Sequence, residues 1–171
     1  MNTPGSIKHL SRLINSASSV ILTTADLDGD SVGTLVALHD LIGQLNPRIA
    51  LDVVLETNLP ERYAFLMPAH IQPRIANKAE DWSDVFAIVV DSEPSRFVVL
   101  REVFETAGMR GLIDHHQTTS VQRFDFARYD PNSPSTTMLV YELYLAANLI
   151  PSFSAARGLY AGLVFDTSIF R

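Results

Sequence analysis

The 171-residue sequence contains no cysteine. This absence excludes disulfide bonds, zinc–thiolate sites, iron–sulfur clusters and thiol nucleophiles. The sequence also lacks any apolar run close to the roughly 20 residues that a membrane-spanning helix needs. Residues 1–19 lack the apolar core of roughly 7–15 residues that marks a secretory signal. We therefore expect a cytoplasmic protein with no membrane partner.

Positive charge is scarce as well. Thirteen lysines and arginines stand against 19 aspartates and glutamates, which gives a formal net charge of -6. Proteins that bind double-stranded nucleic acid usually carry a basic excess, so we expect no such partner. A small phosphorylated ligand stays compatible with this charge, because a bound metal ion supplies positive charge locally.

Charged residues of both signs make up 19% of the chain, compared with about 25% in typical soluble domains. A low charged fraction leaves more of the surface apolar, and such surface is commonly buried against another subunit or domain. The composition therefore favours a homodimer or contact with a further domain.

The most regular feature of the sequence is an alternation of strand and helix patterns. Short runs rich in Val, Ile and Leu predict strands, and apolar residues at helical spacing predict helices. The predicted strands are 20–22, 49–55, 85–90, 111–113 and 124–129; the predicted helices are 4–16, 34–45, 61–66, 95–107, 134–148 and 151–165. Residues 68–84 show no clear period. This alternation predicts one α/β domain with an open, mostly parallel sheet and helices on both faces.

Acidic and histidine residues follow three of the predicted strands. The three groups are Asp28-Gly29-Asp30, Asp91, and Asp114-His115-His116, and Asp166 follows the last predicted helix. Ligands bind at the carboxyl ends of the strands in sheets of this kind. Clustered carboxylates need a cation, and a mixture of carboxylate and imidazole suits Mn²⁺ better than calcium. Two such ions about 3.5–4 Å apart would clamp a phosphoryl group and activate a water molecule.

Four segments, in this order along the chain, resemble the motifs of the DHH phosphoesterase family. They are Asp28-Gly29-Asp30-Ser31-Val32-Gly33, Val89-Val90-Asp91 with Arg96 shortly after, Leu112-Ile113-Asp114-His115-His116, and Ser135-Thr136 together with residues 159–171. The resemblance is to the oligoribonuclease and bisphosphate-nucleotide phosphatase branch. It implies a Mn²⁺-dependent phosphoesterase that hydrolyses short oligonucleotides, dinucleotides or nucleotide bisphosphates with metal-activated water. Pyrophosphatase or exopolyphosphatase activity is an alternative within the same family.

The resemblance also assigns roles to individual residues. It implies that Asp28 binds one ion, that Asp30 binds the other, and that Asp91 bridges the two. His115 and Asp166 would complete the second ion. The remaining matched residues are a phosphate-facing histidine, an aspartate that holds the histidine pair, and a Ser-Thr segment near the substrate: His116, Asp114, Ser135 and Thr136. With Asp28, Asp30, Asp91 and His115, His116 belongs to the implied catalytic set.

Two departures from the family pattern bear on this assignment. Thr24 stands where the first motif usually has a ligand histidine, so we expect a weakened first metal site. Asp26 is a candidate substitute ligand, and Mg²⁺ is an alternative ion. Family members also continue into a second, Gly-rich and basic domain, whereas this chain ends at Arg171. We expect residues 1–171 to be the catalytic domain, with the missing domain packing on it.

These departures keep a second function open, in which a degenerate DHH module binds metal or a phosphorylated ligand in a regulatory or scaffolding role. Structural explanations also exist for each motif. Asp28 and Asp30 suit the cap of the following helix. Asp91 suits a turn at the end of a strand, and His115 with His116 suits a hydrogen-bonded surface pair.

Overall fold

The computed structural model describes residues 5–77 and 79–169. Six strands form one sheet in the order β3-β2-β1-β4-β5-β6, and every neighbouring pair is parallel. Their bounds are β1 Ser19–Thr23, β2 Ala50–Leu55, β3 Arg74–Ile75, β4 Val85–Val90, β5 Met109–Asp114 and β6 Phe126–Tyr129. The predicted α/β fold with a parallel sheet is confirmed, and β3 lies in the segment that had no clear period.

Helices cover both faces of the sheet, which explains why β4 is buried along its whole length. Their bounds are α1 Ile7–Ser16, α2 Gly29–Leu45, α3 Glu61–Ala64, α4 Arg101–Glu105, α5 Thr136–Ala147 and α6 Phe153–Asp166, with a 3₁₀ turn at Pro94–Arg96. One apolar core lies under α1, α2, α5 and α6. A smaller core on the other face contains Trp82, Phe97 and Phe104. Trp82 is a packing residue of this core and is almost wholly buried.

The strand order places a switch point between β1 and β4. The chain moves from β1 outward through β2 and β3 on one side, and from β4 outward through β5 and β6 on the other. Connections leave the two central strands in opposite directions, which opens a crevice at their carboxyl ends. Asp28 follows β1 and Asp91 follows β4, so both aspartates lie beside this crevice.

Helix α2 begins earlier than its apolar pattern predicts, at Gly29 instead of Thr34. Asp28 is its N-cap. The Asp28 carboxylate accepts the Ser31 backbone N–H at 2.9 Å, and the Ser31 hydroxyl oxygen accepts the Asp28 N–H at 2.9 Å. This reciprocal cap stabilises the first turn. Asp30 therefore lies in the first turn of this helix.

The helix predicted over residues 95–107 is wrong. Glu56, which follows β2, accepts the backbone N–H groups of Val98, Val99 and Leu100 at 3.0, 2.6 and 2.6 Å. These bonds hold the chain out of helical geometry until α4 begins at Arg101. The partner lies more than 40 residues away in sequence, so local periodicity carries no sign of it. Gly108, the glycine directly after the predicted range, does not cap α4, because Thr106 takes that position.

Helices α2 and α6 approach each other through glycine. A Cβ atom added to Gly158 would lie 2.8 Å from the Gly33 carbonyl oxygen, and one added to Gly33 would overlap the carbonyl of Gly158. Backbone-to-backbone contact of this kind needs residues without a side chain. It brings the start of α2, with Asp30, close to the end of α6, with Asp166.

Several large apolar side chains of α5, α6 and the loop between them are exposed. Ile150 and Phe153 are 84% and 83% exposed, and Leu145 and Tyr160 are also exposed. This is the kind of surface that the low charged fraction led us to expect, and its partner stays a prediction. Among the helices of the described ranges, none combines the length and the apolar character that crossing a membrane requires.

Candidate metal centre

Four of the predicted site residues converge at the carboxyl edge of the sheet. The Nε2 atom of His115 lies 2.8 Å from Asp166 Oδ2, 3.8 Å from Asp91 Oδ1 and 4.0 Å from Asp30 Oδ2. Ligand atoms of Asp30, His115 and Asp166 all lie within 4.8 Å of one another, and those of Asp91, His115 and His116 form a second such group. His115 belongs to both groups, so the two sets of ligand atoms adjoin.

Two of these carboxylates are almost wholly buried. Burial, together with the nearby charge of Asp30, raises the pKa of Asp91 to about 10. Burial also raises the pKa of Asp30 to about 6, with Asp166 adding to the rise, although hydrogen bonds from Thr136 and Thr137 oppose it. Buried like charges at this distance disfavour ionisation unless a cation lies between them. The ligand set of three carboxylates and an imidazole therefore fits a divalent transition-metal ion.

Asp91 holds its position at a cost in backbone energy. Its φ angle is 54°, in the left-handed region that residues other than glycine rarely adopt. The Asp91 backbone N–H donates to the Ile113 carbonyl at 2.9 Å, and the Asp91 carboxylate accepts the Thr136 hydroxyl at 2.7 Å. Strained residues that the surroundings fix in this way are concentrated at functional sites.

The orientation of the His115 ring is set by a hydrogen bond on the ring nitrogen that points away from the carboxylates. Its Nδ1–H donates to the Ser133 carbonyl oxygen at 3.1 Å, and a carbonyl accepts only a donor. Nε2 is therefore the atom that faces Asp30, Asp91 and Asp166. A hydrogen bond to Asp166 raises the pKa of His115 to about 9 and outweighs the burial that lowers it. A second partner on the other ring nitrogen is the usual arrangement for a metal-binding histidine.

Asp114 lies behind the histidine pair and is fully buried. Its carboxylate accepts the backbone N–H groups of His115 and His116 at 2.8 and 3.2 Å, and Nδ1 of His116 at 2.7 Å. The Thr119 hydroxyl donates to its other oxygen. His116 is thereby fixed through Nδ1, and its half-exposed ring leaves Nε2 for another partner.

The Ser-Thr segment supports the buried aspartates. The backbone N–H groups of Thr136 and Thr137 donate to Asp30 at 2.6 and 3.0 Å. Ser135 caps α5 by accepting the Met138 N–H, so α5 begins after Ser135 and not at Pro134. The N–H groups in the first turn of a helix have no partner within the helix, and carboxylates are favoured beside them.

Thr24 and Asp26 are both engaged elsewhere. The Thr24 hydroxyl donates to the Asp26 carbonyl at 3.0 Å and lies 3.3 Å from the Ser92 hydroxyl. The Asp26 carboxylate pairs with Arg96 at 2.8 Å, so Arg96 is an ion-pair partner of this segment. Neither Thr24 nor Asp26 belongs to the two groups of converging ligand atoms.

Asp28 also lies outside the two groups. It lines a neighbouring cavity of about 250 Å³ together with Asp26, Leu27, Asp91, Arg96 and His116. One oxygen of its carboxylate is occupied by the cap of α2. The structure thus places Asp28 beside the centre. Asp28 caps α2, as its position before a predicted helix suggested.

Several supporting residues were missed in the sequence. They are Ser92, Thr119, Ser133 and Thr137, which contact Thr24, Asp114, His115 and Asp30 respectively. Small polar residues in turns and at helix starts are common, so their pattern carries no chemical signal. Arg171 and Phe170 of the fourth motif lie outside the described residues.

No protein-family model matches the sequence. The uncharacterized protein MJ0988 of Methanocaldococcus jannaschii is 30% identical over 149 residues, which cover 82% of this chain and 42% of that protein. An exopolyphosphatase-related protein from Bacteroides fragilis shares the fold with a TM-score of 0.74 and 18% identity, over 96% of this chain and 50% of its own. The fold is that of the DHH domain.

Two structures of the exonuclease RecJ show the same DHH fold. One, bound to manganese, matches with a TM-score of 0.55 and 16% identity over 95% of this chain and 43% of its own. The other, RecJ of Thermus thermophilus with Mn²⁺, matches with a TM-score of 0.57 and 17% identity over 98% of this chain and 25% of its own. The chain spans half or less of the length of each of these relatives. The resemblance seen in the motifs is confirmed at the level of the fold.

Proposed function

We propose that the chain forms the catalytic domain of a metal-dependent phosphoesterase. The observation that carries the proposal is the convergence of Asp30, Asp91, His115 and Asp166 at the carboxyl edge of a DHH-type sheet. The manganese in the RecJ structures and the mixture of ligand types favour Mn²⁺ as the ion. Short oligonucleotides, dinucleotides and nucleotide bisphosphates are the proposed substrates.

A divalent ion bound at these residues would supply Lewis-acid activation of a water molecule and neutralise charge on the phosphoryl group. The chain itself supplies the positioning. Thr136 holds Asp91, Asp166 and Ser133 orient the ring of His115, and Asp114 fixes His116 with Nε2 left for a phosphate oxygen. These fixed groups replace the water that would otherwise have to reorganise around the transition state.

The proposal is tested by measuring Mn²⁺ binding by calorimetry and hydrolysis of a 5′-phosphorylated dinucleotide, a nucleoside bisphosphate and pyrophosphate. We expect hydrolysis to depend on Mn²⁺ and to be lost in Asp91→Asn and His115→Ala. The matched control is Asp84→Asn, which removes an exposed carboxylate away from the centre. Hydrolysis that is equal in Asp91→Asn and in the wild type would contradict the proposal.

A second function has a specific observation in its favour. Thr24 and Asp26 are committed to a local turn and to Arg96, which leaves fewer ligands for a first ion. A module that holds one ion or a phosphorylated ligand in a regulatory role would show one Mn²⁺ per chain and no turnover. Two ions with turnover would exclude it. If Thr24→His gains an ion and activity, the first site of the wild type is impaired.

A further inference from the structure

A second cavity, of about 450 Å³, lies on the other side of the 3₁₀ turn Pro94–Arg96 from the cavity beside the metal centre. The 3₁₀ turn Pro94–Arg96 contributes Arg96 to the cavity beside the centre and Pro94 with Ser95 to the second one. The second cavity is lined by three arginines, Arg101, Arg110 and Arg123. We call it the arginine cavity. Its volume is within the range of sites for small ligands.

The three arginines are unlike the paired arginines of the molecule. Arg74, Arg96 and Arg128 each have a carboxylate oxygen within 4.0 Å. Within the described ranges, the guanidinium groups of Arg101, Arg110 and Arg123 have none. In a chain with a net charge of -6, three arginines without carboxylate partners at one cavity form a local positive region.

Two glutamates also line the arginine cavity, and the carboxylate of one of them already accepts two hydrogen bonds. The Glu93 carboxylate accepts the Ser120 N–H at 3.1 Å with one oxygen and the Ser95 hydroxyl at 3.1 Å with the other. The second glutamate, Glu105, lies on α4. The Arg101 guanidinium donates a hydrogen bond to the Ser95 carbonyl oxygen. In total, the lining carries three positive and two negative side chains.

We propose that the arginine cavity binds a phosphate group, which belongs either to a remote part of a substrate or to a separate phosphorylated ligand. A guanidinium group can donate two parallel hydrogen bonds to two oxygens of one phosphate group. These charged hydrogen bonds are stronger than those of neutral donors. Phe124 is partly exposed and packs on the buried Phe104, with ring centres 6.3 Å apart. It adds apolar surface for the rest of such a ligand. The loop that carries Ser120 and Arg123 begins at the histidine pair, so an occupied cavity contacts the same loop as the metal centre.

The binding test uses inorganic pyrophosphate and calorimetry in the presence of EDTA. EDTA removes any metal ion that would attract pyrophosphate to the centre, so binding under these conditions reports on other sites. We expect Arg110→Gln and Arg123→Gln each to weaken pyrophosphate binding about tenfold, the loss of one charged hydrogen-bond pair. Arg12→Gln removes an exposed arginine of α1 and should leave binding unchanged.

No pyrophosphate binding by the wild type, or equal binding by wild type and both variants, would overturn the proposal. Circular dichroism and thermal melting verify that each variant is folded. Because no turnover is required, this result is independent of whether the metal centre is catalytic.

Kinetics with Mn²⁺ then distinguish the two sources of the phosphate. If the cavity takes a remote part of the substrate, Arg123→Gln raises KM for a 5′-phosphorylated dinucleotide and leaves KM for bis(p-nitrophenyl) phosphate unchanged. If it takes a separate ligand, both KM values stay unchanged while pyrophosphate binding still falls. An equal rise in both KM values would place the effect at the metal centre and contradict a distinct phosphate site.

Discussion

Gly162 on α6 leaves the space that Asp30 occupies. A Cβ atom added there would overlap the Asp30 carboxylate and the side chain of Thr137. The Asp30 carboxylate is not free to move, because it accepts two backbone N–H bonds from the start of α5. The absence of a side chain at this position is therefore part of the metal centre, although glycine binds nothing itself.

We predict that Gly162→Ala lowers Mn²⁺ affinity about 10-fold to 100-fold, the range seen when the support of a metal ligand is disturbed. Calorimetric titration measures the change. The matched control is Gly43→Ala in α2, where an added Cβ meets no heavy atom within 4 Å. This control should raise the free energy of unfolding by about 0.5–1 kcal/mol and leave metal affinity unchanged.

Two features of Asp91, its buried carboxylate and its left-handed backbone conformation, favour metal binding at the expense of stability. Its carboxylate is buried among other carboxylates, which raises its pKa to about 10. A carboxyl group with a raised pKa in the folded state stabilises the fold at low pH, and this contribution is lost as the pH rises above the ordinary value. At neutral pH the metal-free protein therefore bears the cost of Asp91.

We predict that Asp91→Asn raises the Tm of the metal-free protein at pH 7 and abolishes the further rise that Mn²⁺ gives the wild type. Asparagine adopts the left-handed backbone conformation readily, so the φ angle of 54° remains accessible. Thermal melting in EDTA and in Mn²⁺ measures both effects. A lower Tm of the variant in EDTA would show that Asp91 is a net stabilising residue.

At the scale of elements, Asp40 connects three helices. It lies on α2, and one oxygen of its carboxylate accepts from the Tyr144 hydroxyl of α5 at 2.6 Å and from the Ser152 N–H at the start of α6 at 3.3 Å. Gln44 donates to the same oxygen at 2.7 Å. Burial raises the pKa of Asp40, but these hydrogen bonds outweigh it and leave the pKa below its ordinary value.

We predict that Asp40→Asn lowers the free energy of unfolding at pH 7 and that the difference from wild type shrinks as the pH falls below about 4. The sign follows from the lowered pKa, since the ionised carboxylate stabilises the fold above its unfolded value and loses this contribution on protonation. Urea unfolding between about pH 3 and pH 7 measures the difference. A difference that does not change with pH would indicate that packing, not charge, is lost.

The elements themselves were predictable to the extent that their stabilisation is local. The apolar runs of β4 and β5 and the stripes of α5 and α6 appear in the sequence because burial requires them. The segment after Pro94 was not predictable, because Glu56 captures its N–H groups from the end of another strand. The early start of α2 was missed for a different reason: a helix cap and a metal site compete for the same carboxylate, and Asp28 serves the cap.

At the scale of the whole molecule, the metal centre also has a part that the sequence predicts and a part that depends on contacts between distant residues. Parallel strands bring their carboxyl ends to one edge, so the motifs alone place Asp91 and Asp114-His115-His116 together. The bonds from Thr136 and Thr137 to Asp30 span more than 100 residues, and the turn that engages Thr24 depends on Ser92 from the next strand. Such contacts depend on how elements dock, which spacing along the chain does not record.

For the molecule as a whole, we predict that Mn²⁺ raises Tm and that EDTA reverses the rise. An ion at about 100 times its Kd adds about 2.7 kcal/mol to the free energy of unfolding, because it binds the folded state alone. Differential scanning fluorimetry over a series of Mn²⁺ concentrations measures the rise. Asp166→Asn, which removes a ligand at the surface of the centre, should require higher Mn²⁺ for the same rise. A wild-type Tm that does not respond to Mn²⁺ would contradict binding at the centre.

The glycine contact between α2 and α6 has a consequence for the protein during its synthesis. Asp166 is the last of the four converging ligands to leave the ribosome, and it reaches the other three only after Gly158 has seated against Gly33. A nascent chain that contains β1 to β6 but not α6 lacks Asp166, so we expect it to bind metal more weakly than the folded domain. We therefore expect metal capture to follow the docking of α6 on α2.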